Sequence, residues 1–225
     1  MQIQNNYNSP LFQSRCPEIR LGQDVCRLVN TEFPHYSLFK FKPMIEKNIT
    51  KTSFPANITK LIMQFNLYRP HLYNPESYIP DLFNFINKYK NFNCQESAIL
   101  AELVLKLNGI KNSCAALIRD GKANGNHVAC LFNRDGSEVA LDGNGRIKNN
   151  KTIIIDPWAD ICDFANNVLK EYHCFWNEHF KPDNAYTDKA TGEYNITQIR
   201  SMDFSDEFLA QMKKSYPNLL LKNIP

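Results

Sequence analysis

The chain has 225 residues, 43% hydrophobic and 22% charged, with 26 basic against 23 acidic side chains and a formal net charge of +3. That composition fits one globular domain with a hydrophobic core and argues against full disorder. The charge balance gives no ground for a nucleic-acid partner, since the nearest approach to a basic patch interleaved with aromatics, Lys88-Tyr89-Lys90, reads as a solvated helix end.

Seven cysteines stand at positions 16, 26, 94, 114, 130, 162 and 174, an odd number with no CxxC. They are read as free thiols in a reducing compartment rather than as a disulfide framework. The start, Met1-Gln2-Ile3-Gln4-Asn5-Asn6, has neither a basic nor an apolar region, so no signal peptide is expected. No apolar run approaches the roughly 18 to 20 residues of a membrane span. A cytoplasmic protein is expected. The whole chain, 1–225, is taken as a single domain with its core at about 56–180 and flanking elements on either side.

In chain order, residues 1–55 are polar and punctuated by proline, and specify little. Ala56 to Leu67 has helical spacing at Ile58, Leu61, Ile62 and Phe65. Pro70, Pro75 and Pro80 break the next stretch, and Asp81 to Tyr89 reads as a helix. Cys94 to Leu107 is the clearest helix, apolar almost all round and therefore buried on most sides. Asn93 is its N-cap, Glu96 completes a capping box, and Asn108-Gly109 stops it. Cys114 to Ile118 and His127 to Phe132 read as strands. Asn133-Arg134-Asp135-Gly136 is a turn after which Glu138 to Leu141 returns as a strand. Asp142 to Gly145 is a loop. Thr152 to Ile155 is a further strand, stopped by Pro157. Ile161 to Phe175 and Phe204 to Tyr216 read as helices. A buried helix followed by antiparallel strands makes an α+β pattern.

Cys94 carries the chemical interest. A helix N-terminus bears about half a positive charge, which favours a thiolate, and its free N–H groups suit a developing oxyanion. Cys94, Ala98, Ala101 and Leu105 share one helical face, and the alanines admit close packing. A nucleophilic cysteine needs a base within hydrogen-bond reach. His127, Ala129 and Leu131 share a strand face and are expected to look onto that alanine face. A third residue must orient the imidazole. Asp156 at the end of the Ile-rich strand and Asp142 after the 138–141 strand both qualify. In a simple meander Asp142 lands level with His127 and Asp156 lies about 15 Å away, at roughly 3.3 Å per residue. If strand 152–155 runs antiparallel to the histidine strand, Asp156 reaches that level instead. Spacing leaves the two open. Asn91, Asn93 and Gln64 are candidates for a second oxyanion donor. Cys162, His173, Cys174 and His179 match no familiar zinc spacing, and no metal or cofactor is expected. Trp158 is expected to pack the core or to wall the catalytic pocket.

Asn93-Cys94-Gln95-Glu96-Ser97-Ala98 with its leucine-rich helix and Gly109-Ile110, then Asn126-His127-Val128, then Ile155-Asp156-Pro157-Trp158-Ala159, resembles the Cys–His–Asp core of transglutaminase-like and papain-like cysteine enzymes. It is especially similar to versions in secreted bacterial effectors of Legionella-type intracellular pathogens, which often show Gly-Asn-Cys-Gly-Glu at the nucleophile and Asp-Pro-Trp-Ala at the acid. The resemblance covers residues 91–160. Phe92 and Gln95 stand where glycine is common, and Gln95 is placed to crowd the nucleophile or to line a substrate groove. The resemblance implies a papain/transglutaminase-like fold with the buried helix on an antiparallel sheet. It implies Cys94, His127 and Asp156 as the catalytic triad, with residues 135–150 as an excursion in the hairpin. It also implies acyl chemistry on a protein amide, as protease, glutamine deamidase or transglutaminase, with a host protein as substrate after secretion into the host cytosol. The rival expectations are a catalytically silent protein-binding module on the same fold, and a small metal-binding domain built on His173, Cys174 and His179.

Overall fold

The computed structural model describes residues 16–33, 74–89, 92–120, 126–148, 150–179 and 194–222. The expected helix Ala56–Leu67 and the candidates Gln64 and Asn91 lie outside them. The elements in order are α1 (Pro17–Glu32), α2 (Pro75–Tyr89), α3 (Cys94–Leu107), β1 (Cys114–Asp120), β2 (Asn126–Asn133), β3 (Thr152–Asp156), β4 (Ile161–Phe164), α4 (Ala165–His179), β5 (Tyr194–Arg200) and α5 (Asp206–Ser215), followed by a 3₁₀ turn (Pro217–Leu219). The five strands form one sheet in the order β4-β3-β2-β1-β5, and every neighbouring pair is antiparallel. The architecture is α+β, as expected.

Alternation along the strands splits the interior in two. Ala115, Cys130, Phe132, Ile153 and Ile155 join α1, α2, α3 and α5 in one core. Cys114, Ala116, Ala129, Leu131 and Ile154 face the other way, onto Ala165, Val168 and Tyr172 of α4. All five residues of β3 are buried, because both of its faces are covered. The second face is also covered by Val139, Leu141 and Ile147, from the segment that joins β2 to β3.

That segment corrects one expectation. The turn at Asn133 to Gly136 forms, with Gly136 at φ 71° and its N–H donating to the Asn133 carbonyl. Glu138 to Leu141, however, does not return as a strand beside β2, because β3 occupies that place through Cys130–Ile155 and Leu131–Ile154 pairing. Instead Leu141 bridges Ile147, and Gly145 reaches β5, where its carbonyl accepts from Ile196 N–H at 2.8 Å. A Cβ on Gly145 would stand 2.7 Å from the Ile196 carbonyl oxygen, so the close approach requires glycine.

Three further differences have physical causes. First, α1 occupies a region that specified little by its polarity. Its buried residues Ile19, Gly22, Val25, Cys26 and Val29 recur at helical spacing, and Pro17 suits a first-turn position. A Cβ on Gly22 would meet Cys162 Sγ at 2.3 Å, so this glycine sets how closely α1 lies on β4. Second, Pro80 does not break α2. An interior proline costs about 3 kcal/mol, but Tyr78, Ile79, Leu82, Phe83 and Ile86 around it are at most 3% exposed. Each such burial contributes about 1.5–3 kcal/mol, so two suffice to offset the proline. Third, Ile161 to Phe164 is a strand paired with β3, and the helix expected from Ile161 begins at Ala165. These four residues are β-branched or aromatic in part, and sheet pairing overrides their helical reading. β5, likewise unassigned in the sequence, pairs with β1 across a register shift at Leu117/Ile118.

The C-terminal elements are tied to α3 by buried charge. Glu102, fully buried, accepts from Ala115 N–H at 3.1 Å and Met202 N–H at 2.7 Å, and pairs with Lys106 Nζ at 3.0 Å. Lys106 also donates to Ser201 Oγ and to the Met202 carbonyl. Each group has its partners, which is the condition for burying charge without a large loss.

Candidate active site

α3 begins where the sequence says it should. Asn93 Oδ1 accepts from the N–H groups of Gln95 (2.9 Å) and Glu96 (3.5 Å), and Glu96 Oε2 accepts from Asn93 N–H (3.4 Å), closing the capping box. Ser97 N–H makes the first helical bond to the Asn93 carbonyl. Of the first-turn amides, the one these bonds leave is that of Cys94 itself. Cys94 is half-buried at the first helical residue, and among the described residues no acceptor is seen for its own N–H. The Asn93 side chain is occupied as the cap.

The structure brings Cys94, His127 and Asp156 together. His127 Nε2 lies 2.6 Å from Asp156 Oδ2, and Cys94 stands near enough to favour the charged imidazole. With Nε2 committed to the carboxylate, Nδ1 is the ring nitrogen left for another partner. Asp156 reaches His127 because β3 runs antiparallel to β2 as its direct neighbour. Asp142 is held elsewhere: its carboxylate accepts from Asn144 and Arg146 N–H, both at 2.8 Å, in the turn of the excursion.

The facing of the histidine strand corrects another expectation. Ala129 and Leu131 belong to the core on the α4 side, and the residues of β2 that pack with α3 are Val128, Cys130 and Phe132. His127 therefore does not look onto Ala98 and Ala101. It meets Cys94 at the start of both elements, the first residue of α3 and the second of β2.

Asp156 is 1% exposed and its oxygens have three donors. Oδ2 accepts from His127 and from the Tyr172 hydroxyl at 2.7 Å, and Oδ1 accepts from Ala159 N–H at 3.1 Å. Tyr172 also stands edge-on to the imidazole, 5.0 Å between centroids at 77°. Trp158, 9% exposed, is tilted against the imidazole at 5.5 Å. The turn that presents Ala159 ends at Asp160, in the left-handed region at φ 61°, and Asn30 of α1 donates to its carboxylate at 2.9 Å. Tyr172 was missed in the sequence, where it is one aromatic among several in an amphipathic helix.

Burial alone would lower the His127 pKa. The Asp156 charge and hydrogen bond, with Cys94 behind them, outweigh it and raise the pKa from 6.5 to about 10. The protonated imidazole thus contributes stability that is complete below the unfolded value near 6.5 and is lost as pH rises toward 10. Thermal melts are expected to show the midpoint falling between pH 7 and 10. His127→Gln, which cannot titrate, should be less stable at pH 6 but should lose that slope. An equal slope in both proteins would place the titration elsewhere.

Four of the other described cysteines differ in setting. Burial pushes the Cys26, Cys130 and Cys162 thiols well up and that of Cys114 to about 12. Cys162 lies against α1, with Sγ 3.7 Å from the Ile19 carbonyl. The side chains of His173, Cys174 and His179 lie outside the described residues, and among the described residues no cluster of three metal-ligating side chains occurs. No described helix is long and apolar enough to cross a membrane. No protein-family profile, no curated protein and no solved structure matches the chain.

Proposed function

We propose that this chain is a cysteine hydrolase or acyltransferase of the papain/transglutaminase-like type, acting on a protein amide. One observation carries the reading: a cysteine at a capped helix start shares a buried histidine with a fully hydrogen-bonded aspartate. Nothing in a structural role requires that order of sulfur, imidazole and carboxylate at one end of the sheet.

In this reading the proton rests on His127 and the Cys94 sulfur attacks the amide carbonyl as thiolate, forming a C–S bond. The oxyanion is received by the Cys94 N–H and the positive end of α3. The C–N bond breaks as the imidazolium gives its proton to the leaving amine. Water then loses a proton to the imidazole and attacks the thioester. The acid and the Cys94 thiolate are released, with His127 protonated again. A glutaminyl side chain as donor gives deamidation with water and transglutamination with an amine, and a backbone amide gives proteolysis. Asp156 holds the imidazole by Nε2, so that Nδ1 faces the sulfur throughout. A host protein as substrate, after secretion from a bacterium, follows from the resemblance at residues 91–160.

Site-resolved alkylation with iodoacetamide between pH 5 and 9, read by mass spectrometry, tests the proposal. Cys94 is expected to label ahead of Cys26, Cys114, Cys130 and Cys162 at pH 6, and His127→Ala should cut that rate by about three-hundredfold, the inverse of the thiolate fraction of an ordinary thiol at that pH. Labelling of Cys94 no faster than the rest would sink the enzyme reading in favour of a protein-binding module.

A further inference from the structure

Asp156 is the least ordinary member of the site, since one of its oxygens serves two donors. Oδ2 takes His127 Nε2 at 2.6 Å and the Tyr172 hydroxyl at 2.7 Å. Tyr172 is 1% exposed and comes from α4, on the side of the sheet away from α3. Its neighbours Ala165 and Val168 bury the same face, so hydrophobic packing needs a ring there, but it does not need a hydroxyl. A buried phenol with no acceptor costs free energy, and a phenylalanine would avoid that cost. The hydroxyl is instead aimed at the carboxylate, while the ring meets the imidazole edge-on.

We propose that Tyr172 is a positioning residue of the Cys94–His127–Asp156 site: its hydroxyl shares the Asp156 oxygen that holds the histidine, and thereby fixes the carboxylate and moderates its pull on the His127 proton. The proposal rests on the reading of Cys94 as nucleophile given above. A carboxylate oxygen with a single donor places its full charge against the imidazolium. A second donor spreads that charge and sets the positive end of its O–H dipole beside the histidine. The imidazolium is then easier to deprotonate, which the step to the leaving amine requires. An acid whose pKa lies far above working pH transfers its proton poorly.

The donor stays protonated while it does this. Burial, then the neighbouring Asp156, push the Tyr172 phenol well above its usual value of 10. Among the described residues, the other titratable groups around the imidazole are Cys94 on α3 and Asp156 on β3, with Cys26 of α1 and Asp160 of the following turn behind the carboxylate. Tyr172→Phe removes none of these groups, and of them only Asp156 loses a hydrogen bond to the hydroxyl.

The test is an NMR titration of the His127 ring in the full chain, using imidazole-labelled histidine with His127 assigned by its His127→Gln variant. Tyr172→Phe keeps the ring and removes the donor, and is expected to move the His127 midpoint upward by at least half a pH unit. Substitution of 3-fluorotyrosine at position 172 strengthens the donor and should move the midpoint downward, which keeps the test decisive if the phenylalanine variant folds poorly. A midpoint that is unchanged or lowered in Tyr172→Phe, with a native melt, overturns the proposal, as does an unchanged or raised midpoint with fluorotyrosine. Cys94 alkylation of the unmodified chain is run alongside. If Cys94 there shows no preference over the buried cysteines, the enzyme reading fails. If it shows the preference but the His127 midpoint ignores the hydroxyl, only the role of Tyr172 fails.

Discussion

Asp156→Ala is expected to lower folding stability by about 3–5 kcal/mol, the usual cost of removing one partner of a buried ion pair, measured by urea unfolding at pH 7. The carboxylate is 1% exposed, and its loss leaves the His127 ring, the Tyr172 hydroxyl and the Ala159 N–H without their acceptor. These groups lose the Asp156 oxygens where water does not easily reach, so solvent compensates poorly. Asp142→Ala is the matched comparison. Its carboxylate sits in a solvent-facing turn and accepts two N–H groups of its own loop. Its loss is expected to cost no more than about 1 kcal/mol, the scale of a typical hydrogen bond, and to leave Cys94 alkylation unchanged. If Asp142→Ala abolishes the low-pH reactivity of Cys94 and Asp156→Ala preserves it, the assignment of the orienting carboxylate is reversed.

Cys94→Ala is expected to remove acyl transfer while leaving the fold intact. On the proposed reading the loss should reach about four orders of magnitude or more in kcat, as for enzymes stripped of their nucleophile. Ammonia release from a carboxybenzyl-Gln-Gly peptide and cleavage of casein, with wild type and variant side by side, cover deamidation and proteolysis. Cys94 is half-buried at the first helical residue, where alanine is well tolerated, and the cap is built by Asn93 and Glu96. The melting midpoint should therefore move little. Turnover in the variant within tenfold of wild type would mean that the sulfur does not react. A variant that does not fold would show that Cys94 serves the core, contrary to its exposure.

The sequence made some of this site legible and left the rest hidden for definite reasons. The capping box at Asn93 and Glu96 was readable because N-capping is local: three residues and their side-chain chemistry decide it. The placement of Cys94 at that helix start followed directly. The face of β2 was misread because strand alternation shows which residues lie together, not which side a given helix covers. His127 shares its face with Ala129 and Leu131, and that face belongs to α4. Tyr172 was unreadable because its partner lies 16 residues away, across a strand and a turn. α1 was readable in retrospect, from Ile19, Gly22, Val25, Cys26 and Val29, but a polar surface and proline-rich surroundings diluted the pattern.

By itself the sequence determined the α+β class, the buried α3 with its capped start, the sulfur at that start, and a histidine and an aspartate each at a strand end. Those are matters of periodicity, capping and turn chemistry, all decided within a few residues. Spacing left open whether β3 or 138–141 lies beside β2 and whether Asp156 or Asp142 meets His127; the resemblance at 91–160 implied β3 and Asp156, the tertiary structure decided for them, and it alone showed that Tyr172 joins them. Strand pairing is a competition among segments for one sheet edge. The Ile-rich strand wins it because Ile153, Ile154 and Ile155 are all fully buried there, between two cores, whereas Glu138 to Leu141 has no comparable apolar run to bury on both sides.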